Sequence, residues 1–127
     1  MDGRCLRAVV PFAPVKCRDK ILVPGQSNNV CIFPAIGLAV YATGARRVTA
    51  EMFMAAAHAI SEQVTEADLE AGLIYPPASN LLAVEAHAAR RVAEVVFARG
   101  LARAVRPDDL ESFIRSKIYQ PAYASLI

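Results

Sequence analysis

The sequence predicts a mainly α-helical fold with two short strands near the N-terminus. Before residue 33, short runs of strand-forming residues alternate with prolines and turn residues, a pattern typical of short strands. After residue 33, apolar residues recur at the spacing of one helix face, and glycines and capping residues divide the chain into helices. With 127 residues and a hydrophobic content of 55%, the chain is long enough to bury one core.

The two predicted strands lie within residues 4–10 and 17–23. The first run ends in two valines, and Pro11 lacks the amide hydrogen that further pairing needs. The second contains a charged turn at residues 18–20 and is stopped by Pro24. Because two such strands cannot form a stable sheet alone, we expect further polypeptide to complete them.

The first predicted helix runs from Pro34 to Gly44 and is apolar on nearly all sides, which is typical of a buried helix. Thr49 is a candidate N-cap for a second helix, with Glu51 in the first turn, where the helix dipole favours a carboxylate. The residues expected to share the apolar face of this second helix are Phe53, Ala56, Ala57, Ile60 and Val64.

A short third helix is predicted between Thr65, which forms a capping box with Asp68, and Gly72. A long fourth helix, capped by Asn80, is predicted from residue 81 to about residue 99. Its apolar face comprises Leu81, Val84, Ala88, Val92 and Val95, and its polar face comprises His87, Arg90, Arg91 and Glu94.

The last predicted helix has Pro107 at its first position, followed by two aspartates that favour a helix N-terminus. Its apolar stripe comprises Leu110, Phe113, Ile114 and Ile118. Arg115 and Lys117 lie near its end, where positive charge is favourable.

Two adjacent asparagines, Asn28 and Asn29, lie on the turn that precedes the first helix. Pro24 and Gly25 stop the preceding strand, and asparagine tolerates a left-handed backbone. Each side chain offers a carbonyl acceptor and an NH2 donor, so the pair can bind a carboxylate, a hydroxyl or a carboxamide. Alternatively, the pair forms an Asx turn that caps the helix. The residue types alone leave both interpretations open.

Several long runs resemble the C-terminal part of the malic enzymes, which oxidatively decarboxylate malate to pyruvate with NAD or NADP and a divalent metal. In chain order these runs are PFAPV, GQSNNVCIFPAIGLA, GARRVTAEMFMAAAHAI, TEADLEAGLIYPP, RPDDLESFIRSKIY and PAYASL. The resemblance covers nearly the whole chain from Gly3 onward. The resemblance implies that the chain is the C-terminal piece of an α/β enzyme of the Rossmann type.

The resemblance assigns Asn28, the first asparagine of a Gly-Gln-x-Asn-Asn motif, to the malate site, with Asn29 as its neighbour. The family's general acid tyrosine, base lysine, acidic metal ligands and glycine-rich dinucleotide loop lie upstream of the matched region. NAD or NADP and Mg2+ or Mn2+ would therefore be bound mostly by residues outside this chain. We expect no catalytic residue and no metal ligand here, and no activity from the chain alone.

The resemblance also implies three segments. Residues 1–28 would end the nucleotide-binding domain, residues 29–103 would form helices that pack on the catalytic domain, and residues 104–127 would form a small helical extension. The implied partners are malate, the remainder of the enzyme and further copies in a homo-oligomer.

Three positions depart from the family's pattern. Ser27 and Ala35 stand where glycine is usual, and Val9–Val10 stands where a Gly-Ser pair is usual. If those glycines adopt positive φ or allow close contacts, a β-carbon would add strain of about 1 kcal/mol or more. We therefore expect an effect on substrate geometry rather than on family membership.

For the histidines, paired arginines and tyrosines, the sequence favours structural roles over catalysis or ligand binding. His58 and His87 have no ligand-like partner at helical spacing, so surface or packed positions are preferred over metal binding. The pairs Arg46–Arg47 and Arg90–Arg91 have glutamates nearby and no interleaved aromatics, which favours ion pairs or solvation over nucleic-acid contacts. The tyrosines assigned to packing or an interface are Tyr75, Tyr119 and Tyr123.

The composition narrows the class of protein. Three cysteines without metal-ligand spacing indicate reduced thiols, and the chain has neither a signal-peptide core nor a long apolar span, so we expect a cytoplasmic protein without membrane contact. A net charge of +2 gives no indication of a nucleic-acid partner. The alternatives to the enzyme fragment are a free-standing α-helical interaction module and, more weakly, an arginine-bearing helical nucleic-acid binder.

Overall fold

A computed structural model describes residues 7–8, 13–17, 20–26 and 29–120 of the chain. Within these residues helices dominate, which confirms the mainly α prediction. The helices are α1 (Phe33–Thr43), α2 (Ala50–Ser61), α3 (Glu66–Glu70), α4 (Leu81–Ala98) and α5 (Leu110–Ser116), with short 3-10 helices at Asn29–Cys31 and Ala78–Asn80. The core lies where α1, α2 and α5 pack against α4.

The described part of the N-terminal region contains four short strands rather than the two predicted. They are β1 (Arg7–Ala8), β2 (Val15–Cys17), β3 (Lys20–Leu22) and β4 (Gly25–Gln26). β2 pairs antiparallel with β3, with Val15 opposite Leu22, so Val15–Cys17 forms a strand that was not predicted. β3 ends at Leu22, ahead of Pro24, and the chain then pairs again, since β4 lies parallel to β1.

Helix α1 confirms the predicted helix that ends at Gly44 but corrects its predicted environment. Gly44 adopts φ +60, and its N–H donates to the Val40 carbonyl, which closes the last turn. The buried residues are confined to one side, namely Ala35, Ile36, Ala39, Ala42 and Thr43. The opposite side carries Tyr41 at 73% exposure, so the prediction of burial on nearly all sides was wrong for this chain.

Helix α2 begins at Ala50 with Thr49 at the N-cap position, as predicted, although the Thr49 side chain makes no capping hydrogen bond. Its buried residues are Met52, Ala56, Ala59 and Ile60. The predicted face was therefore rotated, since Phe53 and Ala57 are exposed. Met52 occupies the core position that the prediction gave to Phe53, because α2 turns its flexible methionine toward α4.

Helix α3 carries the predicted capping box. The Thr65 hydroxyl accepts from the Asp68 N–H at 3.2 Å, and the Asp68 carboxylate accepts from the Thr65 N–H at 2.9 Å. Hydrogen bonds from the Thr65 side chain and backbone hold the pKa of Asp68 below its ordinary value. The chain then leaves the helix at Gly72, which adopts φ +86.

Helix α4 confirms the predicted long amphipathic helix, with Asn80 at the N-cap position but without a side-chain capping bond. Val84, Ala88 and Val92 are buried as predicted. Alanine and valine on the flanking positions are buried too, because α1, α2 and α5 all contact this helix. Those additional buried residues are Ala86, Ala89, Ala93 and Val96.

Helix α5 begins later than predicted, because Asp109 rather than Pro107 marks its start. The Asp109 carboxylate accepts from the Ser112 N–H at 3.0 Å, which caps the helix and lowers the pKa of Asp109. Leu110 and Ile114 are buried in the same core as α4. Pro107 was wrongly placed in the first turn because the aspartate cap two residues later starts the helix.

Candidate functional site

The asparagine turn is described from its second asparagine onward. Asn29 opens the 3-10 helix, and its backbone carbonyl accepts from the Ile32 N–H at 3.2 Å. Asn29 is exposed. Asn28 and Ser27 lie outside the described residues, so the position of the assigned malate-binding amide stays a prediction.

The helix that follows does not use Asn29 as a cap. Ile32 occupies the N-cap position of α1, and no side chain makes a capping hydrogen bond there. Asn29 is exposed at the protein surface, and both interpretations of the asparagine pair stay predictions. A polar amide held at the start of a packed helix can present its donor and acceptor groups to a bound anion or hydroxyl.

The core fixes the position of this turn. Ile32 packs against the core, and its carbonyl accepts from the Ile36 N–H at 3.2 Å. Ala35, in the first turn of α1, has no exposed surface and lies in the same core. The methyl group that replaces the family's usual glycine is thus accommodated in right-handed helix, without the positive φ that would strain it.

An apolar groove, which sequence analysis did not predict, begins one turn beyond Asn29. It has a volume of about 660 Å3 and is lined by Phe33, Ile36, Gly37, Val40, Val48, Thr49, Ala50 and Phe53. The Phe33 and Phe53 rings meet edge to face, with centroids 6.4 Å apart. None of these lining residues is charged, so the groove does not fit a phosphate or a dicarboxylate. We call this feature the α1–α2 groove.

The two arginine pairs have different surroundings: the pair on α4 forms ion pairs, and the pair after α1 is exposed. Arg90 contacts Glu94 at 2.5 Å and Glu111 at 3.4 Å, which confirms the ion-pair interpretation for the α4 pair. Arg91 lies 3.6 Å from Glu62, so α4 is linked by charge to both α5 and the end of α2. Arg46 and Arg47 are exposed, which agrees with solvation.

The histidines and tyrosines occupy structural or surface positions in the described part of the chain. His58 is exposed on α2, and His87 lies 3.9 Å from Glu62. Tyr75 packs against the core and Tyr119 is 83% exposed, while Tyr123 falls outside the described residues. Among residues 7–8, 13–17, 20–26 and 29–120, no group of three or more His, Cys, Asp or Glu side chains is arranged to hold a metal ion.

Glu85 on α4 has a shifted pKa, and the described helices are not of the membrane-spanning kind. Partial burial raises the pKa of the Glu85 carboxyl above its ordinary value. No described helix combines the length and the hydropathy that crossing a membrane requires.

The chain is similar to known malic enzymes over most of its length. The NADP-dependent malic enzyme, chloroplastic, of Flaveria pringlei is 46% identical over 124 residues, which cover 96% of this chain and 19% of that protein. The NADP-dependent malic enzymes of Vitis vinifera and Phaseolus vulgaris are each 44% identical over 116 residues, or 91% of this chain.

The chain thus spans about a fifth of the length of these relatives, since it covers 19% of one and 20% of each of the other two. The family described as "Malic enzyme, NAD binding domain" matches residues 1–97, which include the asparagine turn, α1, α2, α3 and most of α4. On the strength of this match, the chain belongs to the malic enzyme family, in the part that the NAD-binding domain of that family covers.

Proposed function

We propose that this chain works as part of a malic enzyme that oxidatively decarboxylates malate to pyruvate and CO2 with NAD or NADP. The observation that carries the proposal is the family match over residues 1–97. The similar proteins named above are NADP-dependent malic enzymes, which favours NADP for the complete protein. No observation on this chain favours the interaction module or the nucleic-acid binder.

Within that enzyme, Asn28 binds malate and Asn29 assists it. The amide NH2 groups donate to a carboxylate or hydroxyl of malate, and the amide carbonyl accepts from the hydroxyl. These contacts orient the substrate and move no proton, so the contribution of this chain is positioning. The packed start of α1 supports the role, because Ile32 and Ala35 hold the turn against the core.

The α1–α2 groove does not fit the pyrophosphate of a dinucleotide, and the described residues form no cluster that would hold a metal ion. The groove has no charged group to pair with a pyrophosphate. Mg2+ or Mn2+, and NAD or NADP, would therefore be held mostly by the rest of the enzyme. When bound, the metal polarises substrate oxygens and the dinucleotide accepts hydride. No step of the chemistry is assigned to the described residues.

We assign residues 1–28 to the end of the nucleotide-binding domain, 29–103 to helices that pack on the catalytic domain, and 104–127 to a helical extension. The partners of the chain in this arrangement are the remainder of the enzyme and further copies in a homo-oligomer. The cytoplasm is the proposed location, although the similar protein of Flaveria pringlei carries the word "chloroplastic" in its name.

The proposal is tested in a chimera in which this chain replaces its matched segment in the Flaveria pringlei enzyme. We expect the chimera to oxidise malate, and Asn28→Ala to raise KM for malate or lower kcat so that kcat/KM falls about tenfold or more. Loss of one hydrogen bond to a charged group, about 1.5–3 kcal/mol, gives this magnitude. Steady-state kinetics with malate as the varied substrate measure it.

The matched control is Asn80→Ala, since Asn80 is an exposed asparagine that makes no side-chain cap at the start of α4. It should leave the malate kinetics unchanged. Equal kinetics for Asn28→Ala and the parent chimera would remove Asn28 from the substrate site. A folded but inactive chimera would contradict the proposed function itself.

A further inference from the structure

Glu85 is a partly buried carboxyl on α4 without a bonding partner. It forms no hydrogen bond and no ion pair with any residue that the structure describes. Its neighbours one turn away on the helix are the apolar residues Leu81, Leu82, Ala88 and Ala89. Partial burial disfavours the charged form and raises the pKa of this carboxyl. A carboxyl in such a place gains more from a hydrogen-bond donor than one in open water does.

The contacts of α4 show which neighbouring helix Glu85 faces. His87 and Arg91 lie close to a glutamate that follows α2, so their side of α4 faces α2. Arg90 pairs with a glutamate of α5, so its side faces α5. Glu85 lies between about 120° and 160° around the helix axis from all three. Because α1 is the other helix that packs against α4 in the described core, Glu85 is on the side that faces α1.

The direction of α1 brings its beginning toward the part of α4 that carries Glu85. The Arg46 N–H after α1 donates to the Leu101 carbonyl after α4 at 3.0 Å, and two further N–H groups of the second loop donate to the last carbonyl of α1. The two helices therefore end together, and α1, which is about 16 Å long, begins beside the middle of α4. The 3-10 helix Asn29–Cys31 precedes α1 and also contacts α4. Glu85 thus lies where the asparagine turn meets α4.

The asparagine turn offers a side chain that fits this carboxyl. Asn29 is exposed, and its side-chain amide makes no hydrogen bond with the described residues. Under the proposed function this amide adjoins Asn28 in the malate site. An amide NH2 carries two hydrogens, so it can donate one to a carboxylate and the other to a substrate. A hydrogen bond to Glu85 therefore fixes the rotation of the amide without removing it from the site.

We propose that Glu85 is a positioning residue of the malate site, whose carboxylate accepts a hydrogen bond from the Asn29 amide and thereby orients the asparagine pair toward malate. This inference rests on the proposed function. The two groups are not bonded in the structure, and rotation of the exposed Asn29 side chain brings them together when malate fills the site. Glu85 touches no substrate and moves no proton in this role.

The test is a double-mutant cycle of Glu85→Ala and Asn29→Ala in the chimera described above. Glu85→Ala should raise KM for malate about fivefold, the effect of one lost hydrogen bond, and should change KM for NADP less than about twofold. In the Asn29→Ala background the same substitution should change KM for malate by less than about twofold, because the group that Glu85 holds is then absent. A purely structural role of Glu85 would give equal effects in both backgrounds.

Two further variants separate hydrogen bonding from other effects of the substitution. Glu85→Gln should keep KM for malate within about twofold of the parent value, because the carbonyl oxygen of glutamine still accepts a hydrogen bond. Glu70→Ala is the matched control and should leave KM for malate unchanged, since Glu70 is an exposed glutamate on α3.

Equal effects of Glu85→Ala with and without Asn29, or no effect in either background, would overturn the positioning role while the chimera still turns over malate. In a chimera that binds malate without turnover, isothermal titration calorimetry gives the same cycle in Kd. A folded chimera that neither oxidises nor binds malate would contradict the proposed function, and the role of Glu85 would fall with it. The two proposals therefore fail through different readouts.

Discussion

Helices α1 and α4 contact each other across the core but have very different outer faces. The outer face of α4 carries Arg90 and Arg91, and both form ion pairs with glutamates of α2, α4 or α5. The outer face of α1 carries Phe33, Gly37 and Tyr41, all exposed. The surface of α4 is thus completed by charges from this chain, whereas the surface of α1 is apolar.

This difference separates the two functions of an apolar residue in a helix. On the inner side of α1, Ala35 and Ala39 have no exposed surface and contribute to the core of this chain. On the outer side, apolar residues contribute nothing comparable until another surface covers them. The outer face of α1 therefore adds less to the stability of this chain than the inner face does.

The largest expected effect on stability comes from removing one apolar side chain from each side of α1 in turn. Ile36→Ala should lower the free energy of unfolding by about 2–5 kcal/mol, because Ile36 is 5% exposed and its loss leaves a cavity. Tyr41→Ala should change it by less than about 0.5 kcal/mol, because Tyr41 is 73% exposed. Urea denaturation of the 127-residue chain measures both values. Equal losses would show that the outer face is already packed.

A smaller test concerns the glycine on the outer face. Gly37→Ala should raise the free energy of unfolding of the 127-residue chain by about 1 kcal/mol, since alanine favours helix and its methyl group meets no atom within 4 Å. Gly44→Ala is the control and should destabilise, because Gly44 has φ +60 and its Cβ would lie 3.2 Å from Arg103 Cβ. Destabilisation by Gly37→Ala would mean that α1 already has a close neighbour there.

Local signals in the sequence predicted the helical part of the fold well. The capping box of Thr65 and Asp68, the left-handed Gly44 and the long apolar face of α4 each depend on residues close together in the chain. Such features are decided locally, and the structure has them where the sequence placed them. The family resemblance carried by the asparagine turn was confirmed by the match over residues 1–97.

Features decided by packing could not be predicted in the same way. Phe53 and Met52 are adjacent, and only the direction from which α4 approaches makes Met52 buried and Phe53 exposed. The parallel pairing of β4 with β1 joins residues that are far apart in sequence, so no local pattern indicates it. The α1–α2 groove was missed for the same reason, because it forms only where two helices and the 48–50 segment meet.

The smallest expected effect tests the charged face of α4. Arg90→Gln should lower the free energy of unfolding by about 0.5 kcal/mol, because its pairs with Glu94 and Glu111 are only partly shielded from water. The loss should shrink in 1 M salt, where the Debye length falls to about 3 Å and partly exposed charges attract each other less. Arg47→Gln is the control and should have no effect, because Arg47 is exposed and forms no ion pair among residues 29–120. A larger loss that salt does not reduce would mean that Arg90 stabilises α4 by packing of its aliphatic stem, and the two helices would then differ less than their charges suggest.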